Sequence, residues 1–177
     1  MSRKIIVLGM DNTGKTTLVE QLSNEFKCDH IKSLGPGYTK EEMKEEMIRK
    51  LNIEELVVLE RFSIFEELVY GPILRGISKF DKEDIEEIRS YDPIIIYCRP
   101  DNETIFNFGD REQMEGVIEQ RVKLVNAWDK LIAELKINYN FDIIPYNWTE
   151  KRSLMRLKHE ITERLENEYN TCRERNN

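Results

Sequence analysis

Eight residues near the amino terminus, GMDNTGKT at positions 9–16, constrain this chain more than any others, because they fit G-x-x-x-x-G-K-[ST] at every fixed position. Ile5, Ile6, Val7 and Leu8 precede them as a short, β-branched apolar run that reads as a buried strand. Leu18, Val19, Leu22 and Phe26 follow at three- and four-residue spacing, which reads as an amphipathic helix. Strand, glycine-rich loop and helix form the context in which this pattern carries chemistry. Gly9 and Gly14 let the backbone turn tightly and approach an oxyanion with no Cβ in the way. The N–H groups of Asp11, Asn12, Thr13 and their neighbours then converge at the positive end of the new helix. Lys15 adds a full positive charge for the β- and γ-phosphates of a nucleotide, Thr16 offers a hydroxyl to Mg2+, and Thr17 falls where an α-phosphate would lie. A glycine turn that merely joined strand to helix would not call for Lys15.

Charge and cysteine usage narrow the field. The chain carries 34 acidic and 27 basic residues, a net charge of −7, which gives no general attraction to nucleic acid but allows a local basic cleft. Cys28, Cys98 and Cys172 are odd in number and far apart, and only His30 and His159 could join them. A zinc site or a disulfide framework is therefore not expected. The apolar run before Gly9 is too short for a signal peptide, and no run approaches a membrane-spanning length. The expectation is one domain over residues 1–177, soluble, in a reducing compartment such as the cytoplasm, or the host cytoplasm for a phage-borne chain.

The rest of the chain alternates strand and helix. Residues 28–34 read as a second strand, and Gly35-Pro36-Gly37 as the turn at its carboxyl end, where open α/β sheets bind ligands. Thr39 and Glu42 form a capping box for a helix whose inner side is Met43, Met47, Ile48 and Leu51. Residues 56–59 (LVVL) make a buried strand ending in Glu60-Arg61-Phe62, on the same rim as the glycine loop. There Glu60 could hold Mg2+ through water, and Arg61 could hold a phosphate. Residues 63–70 read as a helix broken at Gly71-Pro72 and resumed over 73–77, with Arg75 on it. A helix opened by Asp81, a strand at 94–98, and a helix capped by Asp101 follow. A loop with a glycine hinge at 107–111 leads into a long helix over about 112–136. Its expected buried stripe is Met114, Val117, Ile118, Val125, Trp128, Leu131, Ile132 and Leu135, with Arg121 on or beside it. The last strand is expected at 141–144. A loop at 145–148 follows, then a helix capped by Thr149 and reaching about Tyr169, and a frayed tail over 170–177. This order implies an α/β/α sandwich around a parallel sheet of about five strands.

Together these features resemble the thymidylate kinase branch of the P-loop nucleoside and nucleotide kinases, in motif order over nearly the whole chain. Glu60-Arg61-Phe62 looks like the family's Asp-Arg-Tyr. Pro36-Gly37 looks like part of its Arg-Glu-Pro-Gly-Gly, though the Arg-Glu is absent. Val69-Tyr70-Gly71 stands where the family has Tyr-Gln-Gly. Asp110-Arg111-Glu112 looks like the end of a short lid at about 105–112, and Arg121-Val122-Lys123 like the family's Arg-Val-Arg. The resemblance implies a P-loop NTPase fold, ATP and Mg2+ as cofactors, and transfer of the γ-phosphate to a deoxynucleoside monophosphate such as dTMP or a modified pyrimidine. It implies Arg61 on the acceptor phosphate, Arg111 and Arg121 assisting from the lid side, and Thr16 and Glu60 on the metal. Pro36, Arg49, Phe62 and Tyr70 are further acceptor candidates, and a homodimer is the family expectation. Deoxynucleoside kinases also end a strand in Glu-Arg, but their glutamate after the second strand has no counterpart at 34–37. A kinase of DNA ends or of a hydroxymethylated base in DNA remains the rival acceptor reading. A GTP switch would need Asn-Lys-x-Asp, which does not occur.

Overall fold

The computed structural model describes residues 3–33, 35, 37–107 and 116–175, with side chains to residue 167. Five parallel strands, β1 (Ile5–Leu8), β2 (Asp29–Lys32), β3 (Val57–Glu60), β4 (Ile94–Cys98) and β5 (Asp142–Tyr146), lie in the order β2-β3-β1-β4-β5. Among the described residues the α-helices are α1 (Lys15–Phe26), α2 (Lys40–Leu51), α3 (Ser63–Tyr70), α4 (Lys82–Arg89), α5 (Asn102–Phe106), α6 (Val117–Ile137) and α7 (Ser153–Arg175). The alternation of side chains along a strand sorts the core into two layers. Ile6 and Leu8 of β1 face Met43, Met47, Phe65 and Trp128 from α2, α3 and α6, whereas Ile5 and Val7 face Leu18, Val19, Leu22, Leu157 and Ile161 from α1 and α7. Helices therefore cover both faces of the sheet, as the sequence led us to expect.

Several boundaries differ from the expected ones for physical reasons. β2 is an edge strand and shorter than 28–34, with most of its side chains exposed. β3 is shifted by one residue from 56–59 to Val57–Glu60, and Glu60 pairs in register with Val7 of β1. Gly71-Pro72 does not break α3; the chain widens into a π-helical turn, Gly71–Arg75. A Cβ at Gly71 would meet the Ile77 carbonyl at 2.7 Å and Glu67 Oε1 at 2.9 Å, so only glycine fits the start of that turn. α6 starts at Val117 behind Gly116, whose φ is +82°. Ile118 is exposed rather than part of the stripe. β5 runs through Pro145, which an edge strand tolerates because its N–H is not needed there. Thr149 does not cap the last helix. Its N–H and hydroxyl both bond Asn147 Oδ1 in a turn, and α7 begins only at Ser153. The backbone of α7 stays helical past Tyr169 to Arg175. No helix among the described residues is long and apolar enough to cross a membrane.

Candidate active site

The carboxyl ends of β1 and β3 meet the start of α1, and the sequence motif closes there into a compact cradle. Gly9 (φ +144°) passes so close to β4 that a Cβ would sit 2.6 Å from the Cys98 carbonyl. Thr13 is buried and its hydroxyl donates to the Met10 carbonyl at 2.8 Å, tying the loop across itself. Lys15 is buried too, and its Nζ donates to the Gly9 and Met10 carbonyls at 2.7 and 2.5 Å. Burial holds its pKa below the usual lysine value, with Arg61 adding to that and the Glu66 and Asp11 carboxylates opposing it. The Thr16 hydroxyl donates to Glu60 Oε1 at 2.6 Å. Thr16 and Glu60, expected to serve one metal, are thus in contact across the junction of α1 and β3.

Two cavities flank this cradle. One, of about 580 Å³, is lined by Asn12, Gly14, Thr17, Gln21, Trp148 and Arg152 among others. Trp148 lies directly over the loop: a Cβ on Gly14 would be 3.0 Å from its Cδ1. The second, of about 160 Å³, is lined by Ser33, Arg61, Glu66, Glu67, Tyr70 and Arg75 among others. Arg61 is the hinge between cradle and second cavity. Its φ is +63°, an uncommon conformation for a side chain of this size. That backbone is pinned by the Arg61 N–H on the Val7 carbonyl at 3.0 Å and by the Ser33 hydroxyl on the Arg61 carbonyl at 3.1 Å. Its guanidinium pairs with Asp11 of the loop and lies 3.6 Å from Glu66. Burial opposes the charge on Arg61, but Glu66 and Asp11 outweigh it and raise its pKa. Glu66 responds in the other direction. Burial pushes it up to about 7, against the pull of Lys15 and Arg61. Arg61 Nε and Glu66 Oε1 are both buried with no hydrogen-bond partner.

The remaining candidates divide. The hydroxyl of Tyr70 accepts the Asp11 N–H at 3.2 Å, and its ring packs edge-on against Trp128, so it braces the loop and lines the second cavity. Phe62 is wholly buried against Phe65 in the core, and stacking on a ligand is closed to it. Arg49 is exposed on α2 and is not among the residues lining either cavity; its neighbour Lys50 is the buried one. Arg121 donates to the Phe106 carbonyl at 3.0 Å and lies over the Phe106 ring, so it clamps the end of α5 and lines neither cavity. Arg75 does line the second cavity, held by the buried Glu67. Pro36, Arg111 and the centre of the expected lid lie outside the described residues.

Sequence reasoning passed over Ser33, Lys50, Glu66 and Glu67. A signal existed for two of them. Lys50 falls on the Met43–Met47 side of α2, and Glu66 shares a helical face with Phe62 and Tyr70.

Five parallel strands, helices on both faces and a phosphate loop opening α1 define the class: this is the fold of the P-loop kinases. YorR from Bacillus subtilis, solved in complex with phosphorylated GDP, superposes with a TM-score of 0.74 at 20% identity, covering 94% of this chain and 98% of that one. Thymidylate kinase from Candida albicans gives 0.61 at 15% identity over 94% and 93%. Deoxyadenosine kinase from M. mycoides, with dCMP and dCDP bound, gives 0.60 at 15% identity over 90% and 99%. No protein-family model matches the chain, and no curated protein matches it in sequence.

Proposed function

We propose that this chain transfers the γ-phosphate of ATP to a deoxynucleoside monophosphate such as dTMP or a modified pyrimidine nucleotide. The observation that carries this reading is the position of Arg61, which bridges the phosphate loop to a separate cavity through Asp11. Two cavities on either side of one phosphate cradle suit a donor and an acceptor meeting end to end. That the structural neighbours include a thymidylate kinase and a deoxyadenosine kinase supports nucleotides as substrates.

In this reading the larger cavity takes the donor base, with Trp148 against it. Phosphoryl transfer passes through a loose transition state that needs positioning and positive charge more than a strong base. The loop N–H groups and Lys15 hold the β- and γ-phosphates. When they bind, Lys15 exchanges the Gly9 and Met10 carbonyls for phosphate oxygens. Mg2+ takes few protein ligands and keeps water and phosphate around it, which suits the Thr16 hydroxyl and the Glu60 carboxylate; bound there, it would neutralise charge on the donor phosphates. Arg61 holds the acceptor phosphate, and doing so requires it to loosen Asp11 or Glu66. Arg111 neutralises charge developing on the transferring group, and Arg121 assists by holding the end of α5. Closure excludes water and suppresses ATP hydrolysis.

An acceptor screen tests this. Mg-ATP is supplied and ADP counted with each dNMP and NMP, 5-hydroxymethyl-dUMP, deoxynucleosides, and DNA with and without modified bases. Fast turnover with one monophosphate is the expected result. Turnover on deoxynucleosides or DNA alone would overturn the acceptor assignment and leave the donor site intact.

A further inference from the structure

Lys50 is 1% exposed, yet nothing in the proposed reaction uses it. It sits on α2, and its Nζ reaches under the acceptor cavity to the end of β2. There it donates to the Lys32 carbonyl at 2.8 Å and to the Ser33 hydroxyl at 3.3 Å, while pairing with Glu46 one turn back. Ser33 passes the contact on. Its N–H donates to the Glu60 carbonyl at 3.1 Å, continuing the β2–β3 ladder past the last strand residue. Its hydroxyl accepts from Lys50 and donates to the Arg61 carbonyl at 3.1 Å. The chain Glu46–Lys50–Ser33–Arg61 therefore ends on Arg61, whose backbone is left-handed. A buried lysine needs its hydrogen bonds, and beyond the Glu46 pair on its own helix it finds them where they fix this corner. Relaxing Arg61 to an ordinary φ would move the carbonyl off Ser33 and swing the guanidinium away from Asp11.

We propose that Ser33 and Lys50 are positioning residues for Arg61, holding its carbonyl so that its guanidinium stays aimed across the phosphate loop at the acceptor cavity. The kinetic half of this proposal rests on the acceptor reading of Arg61; the conformational half does not.

The test uses the full chain as Ser33→Ala, Ser33→Thr and Lys50→Met, with Arg61→Lys to assign the Arg61 Nε–H signal by nitrogen-resolved NMR. Ser33→Ala should speed hydrogen exchange at Arg61 Nε, which is buried without a hydrogen bond, about tenfold, because losing the Ser33 bond to the Arg61 carbonyl frees the side chain to swing out to water. It should raise KM for dTMP about tenfold while KM for ATP stays unchanged. Ser33→Thr, which keeps the hydroxyl, should restore both. Lys50→Met should follow Ser33→Ala; if it does not fold, the Ser33 pair decides alone. A lowered melting temperature in Ser33→Ala with exchange at Arg61 unchanged would make the contact merely structural and overturn the proposal. Faster exchange in Ser33→Ala, with KM for dTMP unmoved even in Arg61→Lys, would uphold the relay and overturn the acceptor role of Arg61 instead.

Discussion

The two sides of the glycine-loop cradle, the proposed donor and acceptor sides, are built on opposite principles. On the donor side, the polar groups are satisfied: Thr13 on Met10 and Lys15 on Gly9 and Met10 within the loop, and Thr16 on Glu60 of β3. On the acceptor side, Arg61 sits in an uncommon backbone conformation between Asp11 and Glu66, and two buried polar atoms of that group have no partner. A loop whose polar groups are satisfied keeps its backbone preorganised, so in the proposed reaction only the Lys15 and Thr16 side chains need to change partners. An ion cluster left partly unsatisfied stores free energy that a ligand can recover. The lesson is that one rim can hold a fixed site and a responsive one a few residues apart.

The largest effect should come from breaking the fixed side. Lys15→Ala removes the loop's only lysine charge and should lower kcat on the order of 1,000-fold, read as ADP formation. Its melting temperature should fall less than that of the next variant, because burial already disfavours the charge that the substitution removes. Retained turnover would remove Lys15 from the reaction. Arg61→Ala should come next, lowering kcat/KM for the acceptor about 100-fold and leaving KM for ATP close to that of the wild type. It should also lower the melting temperature more than Lys15→Ala does, since Asp11 and Glu66 are left facing each other. Equal melting temperatures for the two variants would erase the contrast between the sides.

The same contrast explains what the sequence revealed. The donor side is local. Strand, loop and helix are contiguous, so spacing alone located Gly9, Gly14, Lys15 and Thr16. Glu60 and Arg61 were legible because they end a strand whose partner ends in the phosphate loop. The acceptor side is assembled from distant pieces, β2, α2, α3 and the π-helical turn, and its contacts depend on register. Arg49 and Lys50 are adjacent cations, and only the packing of α2 decides which turns inward. Phe62 stood as an acceptor candidate because an aromatic beside an arginine has two fates, ligand contact or core, and the α3 packing chose the core. The turn at Gly71-Pro72 read as a break because proline ends regular helices. A π-helical turn with glycine at its start absorbs it.

Trp148 sharpens the donor side. Its ring crosses Gly14 at the mouth of the larger cavity and is partly exposed, so a base entering there must meet it. Trp148→Ala should raise KM for ATP about threefold to tenfold, the worth of one aromatic contact, with KM for the acceptor unchanged. ATP added to the wild type should alter tryptophan emission, and that change should vanish in Trp148→Phe; the buried Trp128 remains as an internal reference. A larger effect on the acceptor than on ATP would exchange the two cavities.

The smallest effect, and the most direct probe of the responsive side, is the titration of Glu66. In the unfolded chain it ionises in the ordinary carboxylate range, and in the fold it is held up to about 7, chiefly by burial. Between those values the folded protein keeps a proton that the unfolded chain has lost. Its contribution to stability is therefore fully present below the unfolded value and disappears as pH rises through about 7. The melting temperature of the wild type should fall between about pH 5 and pH 8 more steeply than that of Glu66→Gln, which cannot ionise. The two should lie close at the acid end, with the glutamine variant the more stable at the alkaline end. Parallel curves would mean that Arg61 keeps Glu66 ionised throughout. The acceptor side would then be as fully satisfied as the donor side, and the difference between them would be one of backbone strain at Arg61 alone.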